Sequence, residues 1–510
     1  MRILYVDCDS LRADHLGCYG YDRETSPTID GLAADGRRFT NVYASDLPCL
    51  PSRTALFTGR FGIHTGVVNH GGLASEPRPI GDRRGFAGAP GFETLTAVLR
   101  DAGHYTASIS PFPTRHGAWH VLDGFREWRD TGKGGFELAE EVCDPAIDWL
   151  QTHATDEDWF LHVNFWDAHT PYDTPVEYGT PFDAGTAPSF PDEETIYEQY
   201  RSYGPHSAQD LHGVGKTPEV ALDWGEDAEL PRTPAEIGSR GDFVEWIDAY
   251  DVGVRYMDEH IGYVLDVLRE KGVFEDTLVI VSADHGENQG ELNIYGDHHT
   301  ADYPTGRIPL IVHGPDVTPG VDGDLHYHLD LAPTMVERIG ATAPDRWDGQ
   351  SFEPSLADGD SAGRETLVLS QAALTCQRGV RWGDWLLLRT YHDGVKDVPE
   401  VALYDLVADP HQTRDLSDER PGVTAEGIRR LEAWHADRMA ESSEDRRGGN
   451  PDPPTGLRDP LWTVINEGGP FHTTQNVPKL ERYLQRLRDT DRAHHADQLA
   501  EQYADLLEST

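Results

Sequence analysis

Lysine is nearly missing from this chain: Lys133, Lys216, Lys271, Lys396 and Lys479 are the only five in 510 residues. Arginine carries nearly all the positive charge, and 89 acidic against 43 basic residues leave a formal charge of -46. Such a surface repels nucleic acid and anionic membranes, so neither is an expected partner. Any bound anion then needs a locally basic or metal-centred site. Asp and Glu are spread evenly rather than in blocks, which excludes a disordered acidic tail and fits adaptation to a high-salt cytoplasm. Cysteine is scarce too. Its five residues are odd in number and scattered, which argues against a disulfide framework and against a zinc ligand spacing. No apolar run is long enough to span a bilayer. Arg2 to Val6 already reads as a buried strand with no signal peptide ahead of it, so a soluble cytoplasmic protein is expected.

What is present is alternation. Short apolar runs trade places with helical patterns over roughly the first two-thirds of the chain, as in an α/β fold with a large, mainly parallel sheet flanked by helices. Ile3 to Val6, Tyr105 to Ile109, Trp159 to Trp166, Thr277 to Ser282 and Ile308 to His313 read as strands. Leu95, Val98, Leu99 and Ala102 recur at helical spacing before Gly103, and Asp144-Pro145 reads as the cap and first turn of a short helix through Leu150. Ile247, Tyr250, Val254, Met257, Ile261, Val264 and Leu268 form the clearest amphipathic helix. Short strands at Thr366 to Ser370, Gly379 to Trp382, Trp385 to Thr390 and Ala402 to Tyr404 predict a small carboxyl-terminal antiparallel sheet. The expected organisation is a catalytic α/β domain over 1–360, interrupted by a polar insertion at 172–241. A small antiparallel-sheet subdomain follows over 361–445, then a linker (Arg446 to Pro454) and a charged helical tail from Leu480 within 446–510.

In such folds ligands bind beyond the carboxyl ends of the strands. Three polar clusters stand there: Asp7-Cys8-Asp9-Ser10, Asp167-Ala168-His169 and Asp284-His285. Carboxylates from separate strand ends can converge on a hard cation, with His285 adding a nitrogen. The plainer alternative makes each Asp a helix cap.

The segment Leu47-Pro48-Cys49-Leu50-Pro51-Ser52-Arg53-Thr54-Ala55-Leu56-Phe57-Thr58-Gly59-Arg60 resembles the signature of the sulfatase family, part of the alkaline phosphatase superfamily. That signature is Cys-x-Pro-x-Arg, then small residues and Thr-Gly-Arg. Asp9-Ser10-Leu11-Arg12, Thr25-Ser26-Pro27, Val281-Ser282-Ala283-Asp284-His285-Gly286, Arg307-Ile308-Pro309-Leu310 and Leu403-Tyr404-Asp405-Leu406 are similar to other family blocks, in the family's order.

The resemblance implies that a maturation enzyme, formylglycine-generating or radical, oxidises Cys49 to formylglycine. The hydrated aldehyde then attacks a sulfate ester, and its second hydroxyl provides the exit that a serine lacks. It implies one divalent cation, Ca2+ by family habit with Mn2+ or Mg2+ as alternatives, held by Asp9, Asp284, His285 and the side chain at Cys49. Arg53 would hold the formylglycine oxygens, and His169 would be the general acid. His116 falls near another family histidine. Ser10 stands where the family often has a second acidic ligand, with Asp7 as a possible substitute. The family's lysines near sulfate are missing; His298 or His299 would replace one, and Arg115 or His116 the other. The expected substrate is a sulfated small molecule or carbohydrate. The alternatives are a phosphodiester or phosphonate monoester hydrolase of the same superfamily and a non-catalytic binding homologue with unconverted Cys49.

Overall fold

Ile3, Leu4, Tyr5 and Val6 are wholly buried in the middle of a nine-stranded sheet. Helices cover both faces, which is why the run shows no polar alternation. The computed structural model describes residues 1–78, 93–211, 232–447, 459–470 and 477–508. The central strand Arg2–Cys8 pairs in parallel with Trp159–Phe165 on one side and Thr277–Ala283 on the other. Tyr105–Ile109 and Glu127–Arg129 extend the first side. Arg307–His313 runs antiparallel between Thr277–Ala283 and Arg37–Tyr43 on the second.

Register aligns the chemistry. Cys8 lies opposite both Phe165 and Ala283, so the residues that follow the three strands emerge at one edge. The large, mainly parallel sheet is the one expected from sequence.

A second sheet of five strands is antiparallel through Leu367–Gln371, Cys376–Trp382, Trp385–His392 and Val401–Asp405. Its fifth strand, Asp46–Leu47, comes from far earlier in the chain and joins in parallel. The residues just before Cys49 are therefore fixed to the second sheet, while the helix after it packs beside the first. Helix Pro421–Arg447, which the sequence reading did not contain, lays Leu431 and Trp434 against this sheet.

Three expectations need correction. The helix around Asp144-Pro145 spans Ala139–His153, with Pro145 inside it and Asp144 exposed. Leu138 N donates to Glu141 Oε2 at 3.0 Å, so the start lies upstream of the Asp-Pro pair. The expected linker begins inside helix Pro421–Arg447, and its residues from 448 on lie outside the described ones. The tail is not one charged helix: Val477–Asp489 and Ala493–Gln502 bury Leu480, Tyr483, Leu484, Leu487, Ala496 and Leu499 against Val395. Asp210 anchors the pair, accepting from Arg492 Nη1 at 2.7 Å and from Tyr483 Oη at 3.0 Å.

The amphipathic helix runs over Arg240–Glu270, capped by Ser239, and takes in the last two positions of the expected 172–241 insertion. That stretch also contains helix Glu193–Gln199, and its residues 212–231 lie outside the described ones. Among the described residues no helix is long and apolar enough to cross a membrane.

Candidate active site

Cys49 is the first residue of helix Cys49–Thr58, every residue of which is buried. Two contacts fix the helix. Ser52 Oγ donates to the Asp284 carbonyl at 2.6 Å, joining it to the end of strand Thr277–Ala283. Gly59 closes it with φ 62°, and a Cβ there would sit 2.6 Å from the Trp347 ring, so only glycine fits this place in Thr58-Gly59-Arg60. Gly286, after Asp284-His285, is equally constrained: a Cβ would come within 2.0 Å of the Pro304 carbonyl oxygen.

The helix presents Cys49 Sγ 3.1 Å from His285 Nε2. His285 Nδ1 donates to the Gly286 carbonyl at 2.8 Å, which fixes the tautomer and turns the Nε2 lone pair toward Cys49. Donor atoms of Asp9, Cys49, Asp284 and His285 all lie within 4.8 Å of one another. All four side chains are buried.

Arg53, one turn along the helix, is buried among three carboxylates. Its Nε donates to Asp7 Oδ2 at 2.7 Å, and its Nη1 donates to Asp9 Oδ2 at 2.9 Å and Asp284 Oδ2 at 2.7 Å. Burial alone would raise all three acids. For Asp9 the opposing charge of Arg53 and its hydrogen bond win over burial and hold the carboxyl below its usual range. For Asp284, burial together with the negative charges of Asp9 and Asp7 wins, and the carboxyl is pushed up. One guanidinium does not balance three buried carboxylates. The two carboxylates and one imidazole beside position 49 thus fit a hard dication, both as donors and in charge. Arg53, expected to hold the formylglycine oxygens, gives Nε and Nη1 to the aspartates and keeps Nη2 buried without a hydrogen-bond partner among the described residues.

Ser10 supplies no carboxylate but organises two. Its Oγ donates to Asp9 Oδ1 at 3.0 Å and its N to Asp284 Oδ1 at 3.2 Å, with a left-handed φ of 59°. Asp7 lies further back, 3.2 Å from His162 Nε2. Asp167 accepts the Ala139 N–H at 3.0 Å and so serves the start of the earlier helix Ala139–His153, not a following one.

His169 Nδ1 donates to the Thr170 carbonyl at 2.6 Å, leaving Nε2 for the site. Its ring is 6.0 Å from that of His298, which is 4.1 Å from His285. His298 shares a ligand-like cluster with Cys49 and His285. His299 instead lies 3.0 Å from Asp297 and packs on His206. Burial holds His116, His169 and His298 below the usual imidazole range and His285 down to about 4, which favours the uncharged form of each ring. Burial also drives the Cys49 thiol up, which Asp9 and Asp284 reinforce and Arg53 and Arg115 oppose. Arg115 stands over the Trp166 ring at 5.3 Å.

His70 is a member that sequence reasoning missed. Its ring packs tilted against that of His116 at 4.6 Å, and its Nε2 is 3.5 Å from the Leu50 N–H, at the start of the signature helix. The only sequence signal was a histidine before the Gly71-Gly72 pair shortly after the signature.

The sulfatase family model matches residues 2–341, which takes in every one of these side chains. The chain belongs to the sulfatase family. This sulfatase is a hydrolase acting on ester bonds. It is 22% identical to the N-acetylglucosamine-6-O-sulfatase of Bacteroides thetaiotaomicron, with 81% of this chain and 82% of that one covered. Its fold superposes with a TM-score of 0.67, at 20% identity, on a solved structure in complex with its substrate D-glucosamine-2-N,6-O-disulfate, covering 88% of this chain and 99% of that one. The phosphonate monoester hydrolase of Agrobacterium radiobacter shares the fold as well, with a TM-score of 0.63 at 19% identity over 86% of this chain and 96% of that one.

Proposed function

We propose that this sulfatase releases inorganic sulfate from a sulfated carbohydrate or small sulfate ester, with position 49 acting as formylglycine. The observation that carries this reading is the placement of Cys49 Sγ 3.1 Å from His285 Nε2, inside the cluster with Asp9 and Asp284. Asp9, Asp284 and His285 would hold the divalent cation, Ca2+ in preference to Mn2+ or Mg2+. When bound it would supply a Lewis acid that lowers the pKa of a neighbouring hydroxyl and offsets sulfuryl charge.

The chain's own groups do the rest. Arg53 keeps Asp9 ionised and fixes both aspartates. Ser10 donates to both from the other side. His169 is oriented by its Nδ1 bond, so a proton taken up at Nε2 is available for the leaving oxygen. His298, facing His285, takes the place of a family lysine.

The charge count favours a monoanionic ester. Arg53 gives Nε and Nη1 to carboxylates and burial favours neutral histidines, so among the described residues Arg115, whose Nη1 donates to the Gly134 carbonyl at 3.0 Å, is a positive charge near Cys49 outside that carboxylate network. A phosphate monoester dianion would be poorly compensated here. Cys49 is only 1% exposed, so its maturation enzyme must reach the motif before the helix is packed. The acidic surface suits a cytoplasm of high salt.

The test is a panel of nitrophenyl sulfate, phosphate and phosphodiester substrates, run on protein whose Cys49 peptide has been weighed. Aldehyde at position 49 with preferred sulfate turnover supports the reading. Preferred diester turnover would make the chain a phosphodiester or phosphonate hydrolase. An unconverted thiol at position 49 without turnover of any of the three would leave it a binding homologue.

A further inference from the structure

Beside the catalytic cluster, a second group of ligand-type side chains converges. Donor atoms of His206, Asp297 and His299 lie within 4.8 Å of one another. His206 belongs to the 172–241 stretch, Asp297 ends strand Tyr295–Asp297, and His299 follows on the loop that carries His298. His206 Nε2 and His299 Nε2 each stand 3.0 Å from the same oxygen, Asp297 Oδ2. The other oxygen, Oδ1, accepts the His298 backbone N–H at 2.7 Å, which orients the carboxylate.

The geometry at His299 is the second observation. The residue is 1% exposed, yet neither ring nitrogen makes a hydrogen bond to the described residues. Its Nε2 is therefore close to Asp297 but not aligned to donate to it. A buried imidazole left in this condition is costly unless something else meets it. Two imidazole nitrogens and one carboxylate oxygen around a common point are a donor set for a borderline-soft dication. Zinc holds such ligands at about 2.0–2.2 Å, which sets neighbouring donors roughly 3.3 Å apart in a tetrahedron. The observed 3.0 Å separations need only a small opening of the rings.

We propose that His206, Asp297 and His299 bind a second metal ion, a transition-metal dication such as Zn2+, separate from the cation beside Cys49. Water would complete the fourth position. The ion ties the 172–241 stretch to the loop that presents His298, and so works as a staple for the active-site wall. Lys396 is the nearby cation. Its Nζ donates to the carbonyl of Pro205, next to His206, at 2.6 Å, and burial brings its amine down to about 7.

The experiment uses full-length protein carrying Asp284→Asn, which weakens the catalytic cation site, stripped with chelator and loaded with Co2+. A single equivalent of cobalt with the intense visible bands of tetrahedral coordination is expected, and Zn2+ should bleach it. Adding His206→Ala should abolish both the bands and the equivalent. His206 is partly exposed, and circular dichroism will show that this variant folds. Asp284→Asn protein that binds no cobalt, shows only weak octahedral bands, or keeps its tetrahedral cobalt after His206→Ala overturns the proposal.

Discussion

Arg53 and Asp284 are joined at 2.7 Å, Nη1 to Oδ2, in a site where neither is reached by solvent. The same guanidinium also serves Asp7 and Asp9, so removing it strands three buried carboxylates. For Arg53→Met in metal-free protein we expect a loss of about 3–5 kcal/mol, the range for breaking one partner out of a buried pair. A divalent cation should restore part of that loss, because it brings charge to Asp9 and Asp284. Thermal denaturation with chelator and with Ca2+ checks this. An equal loss in both conditions would separate Arg53 from the cation site.

Asp9→Asn and Asp284→Asn each remove an anionic donor from a hard cation. Metal content and turnover should fall together in both variants. Chelator should silence the natural chain and added divalent ion revive it. Undiminished activity in metal-free protein, measured by elemental analysis, would take the cation out of the reaction.

His169 should matter most when the leaving group needs a proton. For His169→Ala, a loss of roughly 10²–10⁴-fold is expected on an unactivated alkyl sulfate, the span of general acid catalysis. The loss on nitrophenyl sulfate should be clearly smaller, since nitrophenolate leaves unaided. Equal losses on the two would demote His169 to a sulfate anchor.

Much of this was legible in the sequence for a physical reason. Buried parallel strands such as Ile3 to Val6 are continuous apolar runs, and their ends carry the polar residues, so Asp9, Asp284 and His285 stood among the candidates by position and the family resemblance singled them out. Cys49 and Arg53 were found by motif. Position in three dimensions was not legible. The motif gives Arg53 the role of holding the formylglycine oxygens, but not its place among Asp7, Asp9 and Asp284, a balance of charge that only the packed strands create. His298 and His299 were interchangeable as letters, yet the backbone after Asp297 turns one toward His285 and the other toward His206. His70 reached the site through a loop with no periodic pattern. The tail's buried face was hidden by the many charges on its other side, and helix Pro421–Arg447 by the charged residues scattered along it.

Asp210 gives a pH prediction. Burial would raise its carboxyl, but Arg492 and Arg486 outweigh burial and lower it. A depressed carboxylate stabilises the fold above its unfolded pKa, about 3.9, and that stability is lost as pH falls through the folded value. The helices Val477–Asp489 and Ala493–Gln502 should therefore loosen as pH falls below about 4. Asp210→Asn should loosen them already at neutral pH. Hydrogen exchange of Leu480 to Leu487 reads this; unchanged protection in Asp210→Asn would show that apolar packing alone holds the tail.

The central claim is that the side chain at position 49 is the nucleophile. Steady-state turnover of nitrophenyl sulfate by Cys49→Ala tests it most directly, beside the natural chain with the aldehyde confirmed at position 49. Alanine removes the reacting atom while leaving Asp9, Asp284, His285 and Arg53 in place, so the variant should fold, retain its cation and show no turnover. Cys49→Ala turning over at the rate of the natural chain would contradict the account and place the nucleophile elsewhere.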